Sequence, residues 1–453
     1  MGRFSPKGIA LPRYESGVPG LPARAMAFTN SEVGTTNCKL KWWFSYGNRF
    51  GSGQNSAMYF GSQMHEVLED IFDWWRLNDT AYLPEYLWEK PSCNPFDLNG
   101  SGTKPGVLKR ILQEMEEQGA GEHVDDIEAF VSRLYDCAYG YLRTYGTILK
   151  DYKVIGVELP TAMPVRNTKT GKQFYSLVPI AETPDGWGLA LPGQKYKEVR
   201  LPWFKVGRLD CIVMEKRTGD LWVWEFKTSK SAQTYGKNLA LDTQLPGYAL
   251  SLQAALNTKD YRSLFPKECS GVVRGYIWDV LGSNEHKVPR RLKSGKLSTA
   301  AQKVPSWVWH SILETEQADR HKYTQEEWEK LLAMPDEAAR HVDPFLYHRE
   351  WDVFNDVDLA RYESELHSKA RLISQMRRAL VRSGNTAWDK GVAGNFDRTP
   401  ICRMPGGYCN YTSLCMNDSE ATRLSFTQEI PTLWPSGKVP VQTKPDEENK
   451  WQI

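Results

Sequence analysis

The sequence predicts an α/β fold, a mixed sheet flanked by helices, and two features carry that expectation. Stretches with apolar residues at helical spacing alternate with runs rich in Val, Ile, Leu and Trp, and two neighbouring runs of the second kind are joined by a turn into a hairpin. At 453 residues the chain is long enough to bury a sizeable core, and about 150 residues per domain gives an upper guide of about three units. A hydrophobic content of 41%, with 17 Trp and 21 Tyr, excludes a disordered polypeptide.

The segment to about Asn30 is rich in Gly, Pro and Arg and reads as a loop-like N-terminal arm, residues 1–30. From Gly61 to Arg76, Met64, Val67, Leu68, Ile71, Phe72 and Trp75 recur at helical spacing. Further helices are expected around 105–118 and 124–149, so residues 77–150 read as a helical insertion. At Lys153 the pattern changes to a strand, Lys-Val-Ile-Gly-Val-Glu-Leu-Pro, with Glu158 near its end. Residues 204–214 and 221–227 form the hairpin, with Arg217-Thr218-Gly219-Asp220 at its turn. A helix over 239–256 follows, in which Pro246 is the awkward residue because proline is best tolerated in the first turn. Residues 282–304 read as a basic loop without apolar periodicity, the start of a basic insertion over 282–345. A long amphipathic helix at about 357–384, a cysteine cluster and a Pro- and charge-rich tail over 426–453 complete the chain.

The formal net charge of +2 does not identify a nucleic-acid binder, because phosphate contacts need a local basic surface rather than a basic whole. No stretch reaches the roughly 18 to 20 apolar residues of a membrane span. No membrane partner is therefore expected, and the cytoplasm is the expected compartment. The absence of a Walker-type Gly-rich phosphate loop excludes a nucleotide-driven motor of that type. Eight cysteines are too sparse for a disulfide scaffold and read as thiols or metal ligands.

The most informative stretch runs from Gly207 to Thr228, with Asp210 in one apolar strand and Glu225 in the next. Carboxylates inside strands of Leu, Ile, Val and Trp are costly to bury unless compensated, and a divalent cation would compensate them. Lys227 lies two residues beyond Glu225 and so shares its face of the strand. In phosphodiester hydrolysis the carboxylates would hold the cation, while the lysine orients water or neutralises developing charge. An Asp followed by Glu-x-Lys is by itself equally a turn cap and a surface ion pair. Gln244 and Tyr248, four residues apart and on one helix face, add weight to the catalytic reading.

Read in order, Gly207-x-x-Asp210, Glu225-x-Lys227-Thr228 and Gln244-x3-Tyr248 resemble the motifs of the RecB branch of the PD-(D/E)XK nucleases. Gly61-Ser-Gln-Met-His65 is similar to that family's helical Gly-x3-His. The resemblance spans about residues 31–420, and a nuclease domain is expected over 31–425. It implies a restriction-endonuclease-like α/β core with Asp210, Glu225, Lys227, Gln244 and Tyr248 as catalytic residues. His65, Asp210, Glu225 and Phe226 would surround Mg²⁺ or Mn²⁺. Glu158 resembles an acidic position of many relatives, in a secondary role. The substrate would be DNA, bound without regard to sequence and cut as an exonuclease cuts single strands or frayed ends in recombination, repair or phage DNA metabolism. A helicase or recombination protein would be the protein partner, and the motor-free build looks most like a protein of a bacterial or phage-infected cell. The rival reading is a non-catalytic, nuclease-derived subunit that holds DNA or a helicase.

Cys402-x6-Cys409-x5-Cys415, with Cys38 far upstream, is similar to the iron-sulfur staple of the AddB nuclease domain and of CRISPR-associated and phage exonucleases. Relatives often have two residues where this chain has six between Cys402 and Cys409. Four thiolates suit a 4Fe-4S cluster or tetrahedral zinc, and the resemblance points to iron-sulfur. For holding DNA, the basic stretch offers Arg290, Arg291, Lys293 and Lys296 to phosphates. Trp42, Trp43, Phe44 and Tyr46 read as packing residues rather than stacking platforms.

Overall fold

The computed structural model describes residues 25–42, 56–91, 103–118, 126–183, 186–190, 195–230, 244–262, 265–283, 286–291, 297–304, 347–382, 403–404 and 407–408, with a few isolated positions. Cys402, Cys409, Cys415, Lys293, Lys296, most of the arm and the whole tail lie outside these residues.

The chain begins with β1 (Met26–Phe28), α1 (Asn30–Thr35) and α2 (Lys39–Trp42), then the long α3 (Ser56–Asn78). A small ladder of β2 (Glu89–Pro91) and β3 (Thr103–Pro105) leads to α4 (Val107–Gln118) and α5 (Ile127–Tyr145). The main strands follow: β4 (Tyr152–Pro164), β5 (Tyr175–Thr183), β6 (Gly186–Leu189), β7 (Lys197–Glu215) and β8 (Leu221–Ser229). After α6 (Gln244–Leu256) and α7 (Lys259–Arg262) come β9 (Val273–Gly282), β10 (His286–Arg291), β11 (Leu297–Val304) and β12 (Tyr347–Val353). The described elements end with α8 (Asp356–Arg382) and two short strands, β13 (Arg403–Met404) and β14 (Gly407–Tyr408).

Local chemistry explains these boundaries. The apolar positions of α3 that share the 3.6-residue period, from Phe60 through Met64, Val67, Leu68, Ile71 and Phe72 to Trp75, are all buried. Asp126 caps α5, its side chain accepting from the Ala129 N–H at 2.9 Å. Pro246 is the third residue of α6, in the first turn, where a missing N–H costs nothing. Between β7 and β8 the chain reverses through Gly219, whose φ of 76° is the left-handed conformation a glycine adopts freely.

The main sheet is mixed. From one edge it runs β12-β9-β8-β7, and β7 carries β4 on the side away from β8. The β8–β9 and β1–β7 pairs are parallel and the others antiparallel. The early half of β7 pairs with β5, which carries β6. Helices cover both faces. On one, α3, α4 and α5 pack on Cys211, Val213, Trp224, Phe226, Ile277 and Leu281. On the other, α6 packs on Ile212, Met214, Leu221 and Val223. The early half of β7, with β5, is covered by α8 through Tyr362, Leu366, Ala370 and Ile373. Burying each large apolar side chain contributes about 1.5–3 kcal/mol, so these layers fix where β7 and β8 present their polar residues.

Three expectations are corrected. The segment read as an unstructured arm ends in β1, which pairs in parallel with Trp203–Lys205 of β7 and is buried throughout. Three residues are too few to show an alternation in sequence. The stretch read as a basic loop contains an antiparallel hairpin, His286↔Val304 through Arg291↔Leu297. Its strands lack apolar alternation, so the period-2 signal was missing. The first strand does not end near Glu158 but runs on to Pro164, leaving Glu158 in its interior.

Candidate active site

The site lies where β7 and β8 part. Their ladder runs from Met214↔Leu221 to Cys211↔Trp224 and stops, while β8 continues beside β9 as far as Ser229↔Gly282. Past the fork the Phe226 N–H needs a new acceptor, and the Asp210 carboxylate supplies it, with Oδ2 at 3.0 Å. Strand alternation sends Trp224 and Phe226 into the core beneath α3, and Glu225 and Lys227 to the other side.

Across β7 from the fork, Glu158 of β4 stands opposite Asp210, between the register pairs Val157↔Cys211 and Leu159↔Leu209. Its φ is 50°, a left-handed conformation that costs a non-glycine residue on the order of 1 kcal/mol or more. The two strands change over at this pair. Val157 and Cys211 belong to the core under α3, whereas Leu159 and Leu209, two residues away, pack toward α6. Regular alternation would keep residues two apart on one face. The irregularity places both carboxylates at the point where the faces exchange.

Helix α3 reaches the fork closely. A Cβ on Gly61 would lie 2.9 Å from Thr228 Oγ1, so glycine is what lets the helix approach the end of β8. One turn later His65 places Nδ1 3.7 Å from Asp210 Oδ2. His65, Glu158 and Asp210 each offer a ligand atom, all within 4.8 Å of one another, and could hold a metal ion. Lys227 Nζ pairs with Glu225 Oε1 and lies 5.6 Å from the centre of the Trp278 ring. Arg208 stands 3.4 Å from Glu158.

Electrostatics mark the cluster as under-compensated. Burial, then the neighbouring Asp210, raises Glu225 to about 8 despite Lys227. Burial, Asp210 and Glu69 raise Glu158 to about 8 against the pull of Arg208. Asp210 is raised by burial, with Lys227, the Phe226 N–H and a side-chain hydrogen bond with Glu225 opposing. His65 is lowered by burial and by Lys227, which favours the neutral imidazole that ligates metals. Among the described residues Glu225 Oε2 is buried without a donor while both carboxylates are ionised, and a hydrogen bond to Asp210 requires the pair to keep a proton. An orphaned carboxylate oxygen, a neutral imidazole and carboxyls that resist ionisation fit a divalent cation that would supply the missing charge. Phe226 can join such a set only through its main-chain carbonyl, and its main chain already hydrogen-bonds His65.

Of the residues expected from sequence, the structure brings His65, Asp210, Glu225, Phe226 and Lys227 together. Gln244 opens α6 and Tyr248 follows one turn on, buried, with its ring beside Gly207. A Cβ on Gly207 would lie 3.6 Å from Tyr248 Cε1, so the Gly-x-x-Asp and Gln-x3-Tyr segments touch. Arg290 and Arg291 lie in β10. Cys38 precedes α2, half-buried and in no disulfide with another described residue, its Sγ accepting from the Lys41 N–H at 3.4 Å. Glu158 was expected only in a secondary role, and Arg208 and Glu69 were not among the expected site residues. The sequence does show Glu69 four residues after His65, and hence on its helix face, which could have found it.

A mixed sheet whose strands part beside a cluster of His65, Glu158 and Asp210 defines an α/β protein with an acidic cluster that could hold a metal ion. The family model described as PD-(D/E)XK nuclease superfamily matches residues 34–416, and the chain belongs to that superfamily, whose members are generally nucleases. No curated protein matches it. Among the described residues no helix is long and apolar enough to cross a membrane.

Proposed function

We propose that this chain is a divalent-metal-dependent deoxyribonuclease of the RecB-like branch, acting as an exonuclease on single-stranded or frayed DNA ends. The observation that supports the reading most is the meeting of His65, Glu158 and Asp210 at the strand fork, beside the charges of Glu225 and Lys227, with Glu225 Oε2 lacking a hydrogen-bond donor among the described residues. His65, Glu158, Asp210, Glu225 and the Phe226 carbonyl would hold Mg²⁺ or Mn²⁺. Such an ion polarises a phosphodiester and lowers the pKa of a bound water. Lys227, already turned to Glu225, would orient the attacking water or offset charge developing on the phosphate. Neutral His65 contributes a lone pair without adding charge. The strained backbone at Glu158 would hold its carboxylate where the strand faces change over.

The basic hairpin supports a DNA-binding role for Arg290 and Arg291, and by extension Lys293 and Lys296. It follows β9, whose end lies beside the end of the Lys227 strand, since Ser283, just past β9, donates its N–H to Ser229 O at 3.0 Å. Such contacts read the backbone and not the bases. Cys38, Cys402, Cys409 and Cys415 are read as ligands of a 4Fe-4S cluster, with zinc as the alternative. The β13–β14 pairing joins Arg403 to Tyr408, the residues adjacent in sequence to Cys402 and Cys409, which supports that grouping. Phage or bacterial recombination and repair, with a helicase supplying the strand, is the setting this activity suits.

The test incubates anaerobically purified protein with end-labelled single- and double-stranded DNA, with and without Mn²⁺, beside Lys227→Ala. Metal-dependent loss of label by the wild type alone is expected. Equal degradation by both would remove the mechanism. Binding without degradation by either would favour a nuclease-derived DNA-holding subunit.

A further inference from the structure

Five residues before Asp210 on β7, the chain buries a lysine that the chemistry above does not use. Lys205 is fully buried, and among the described residues its Nζ has no hydrogen-bond partner. What surrounds it is aromatic. The amine lies 5.0 Å from the centre of the Tyr248 ring and 5.8 Å from that of Tyr362 on α8. A Cβ on Gly247, next to Tyr248 in α6, would collide with both the Lys205 amine and the Tyr362 hydroxyl. Lys205, Gly247, Tyr248 and Tyr362 thus form one packed seat where β7, α6 and α8 meet.

Nothing in this seat repays a buried cation. Attraction to aromatic faces is weaker than the cost of taking an ammonium out of water, and no hydrogen bond among the described residues makes up the difference. Burial accordingly lowers the amine to about 7, opposed by Glu225. Among the described residues the Tyr248 and Tyr362 rings face the amine from α6 and α8, and the charge of Glu225 on β8 favours the amine's charged form. A methionine would fill the same space without the penalty. A residue that costs stability on the strand carrying Asp210 is the pattern of a functional compromise.

We propose, on the nuclease reading above, that Lys205 is a positioning residue, a buried amine that holds Tyr248 and with it the Gln244 end of α6 against the strand bearing Asp210. It touches no substrate and acts through the Gln-x3-Tyr helix. The amine spans the gap that Gly247 leaves open, so the helix is seated at a fixed distance from β7.

The test uses the full chain as wild type, Lys205→Met, Lys205→Gln, Tyr248→Leu and the Lys205→Met/Tyr248→Leu double variant, with Lys227→Ala as the inactive control. Melting temperatures and Mn²⁺-dependent kcat and KM on end-labelled single-stranded DNA are measured. Lys205→Met is expected to melt above wild type, to lose about tenfold or more in kcat, and to keep KM within about twofold. In the Tyr248→Leu background the same change should cost less than about twofold further, because the two act as one unit. Wild-type kcat in Lys205→Met, or losses that multiply in the double variant, overturn the proposal. So does a lower melting temperature or failure to fold in both Lys205 variants, which marks the residue as structural. A wild type no more active than Lys227→Ala sinks the hydrolase reading itself, and this proposal with it.

Discussion

Two buried carboxylates stand almost side by side in the sheet, Asp279 of β9 paired in register with Phe226 of β8, and Glu225 one residue before it. Asp279 is surrounded by donors. Tyr141 Oη approaches at 2.8 Å, Trp224 Nε1 at 2.9 Å, and Arg349 of β12 gives two bonds of 2.6 Å while its guanidinium lies 3.8 Å from the centre of the Tyr145 ring. Glu225 has Lys227 on one oxygen and, among the described residues, no donor on the other, with only the like-charged Asp210 beside it. The first arrangement joins β8, β9, β12 and α5 and is complete within the fold. The second is incomplete and asks for a positive charge from outside. A buried carboxylate therefore speaks for a functional site only when the protein leaves it unfinished.

Substitutions should separate the two centres. The largest effect is expected for Lys227→Ala, a loss of about a thousandfold or more in Mn²⁺-dependent DNA cleavage, about 4 kcal/mol of transition-state stabilisation. End-label assays with melting curves on the same samples check that the fold survives. Next, Asp279→Ala strands a buried guanidinium and two other donors, and should lower the unfolding free energy in urea by about 3–5 kcal/mol. Cleavage per folded molecule should stay near wild type. The reverse pattern at either residue would erase the distinction between the centres.

A smaller effect concerns pH. Glu158 and Glu225 stand near 8 in the folded chain, above the unfolded carboxylate range of about 4 to 4.5. A raised carboxyl contributes stability that is full below its unfolded pKa and lost as pH rises toward the folded value. Metal-free protein should therefore melt progressively lower from about pH 5 to about pH 8.5, Mn²⁺ should restore it at the upper end, and Glu225→Gln should flatten the profile. A metal-free profile that rises over this range would contradict the assigned burial. The smallest effect is expected for Arg290→Ala with Arg291→Ala. Single-stranded DNA binding should weaken, with the salt slope falling by about 0.7 for each phosphate that is no longer neutralised, as fluorescence anisotropy at several salt concentrations would show.

Much of the candidate site's geometry was legible because it is written in local spacing. Glu225 and Lys227 share a face by strand alternation, His65 sits one helical turn past the glycine that lets α3 approach Thr228, and Gln244 and Tyr248 lie one turn apart. Asp279 and its partner Arg349, 70 residues apart, could not be paired from spacing, because only the β9–β12 ladder brings them together. Glu158 was underweighted for a different reason. A left-handed residue inside a strand and a change of face between positions two apart break the period on which strand reading rests. Lys205 gives no signal in sequence, since a lysine in an apolar strand reads as a surface residue until the ladder and two helices close over it.

The central claim is that the unfinished cluster at the strand fork takes up a divalent cation. Isothermal titration of Mn²⁺ into chelator-dialysed wild type and Asp210→Asn, at several pH values between about 6 and 9, tests it without DNA or turnover. Saturable binding that tightens with rising pH in the wild type and disappears in the variant is predicted. No saturable binding, or equal binding by both proteins, would contradict it.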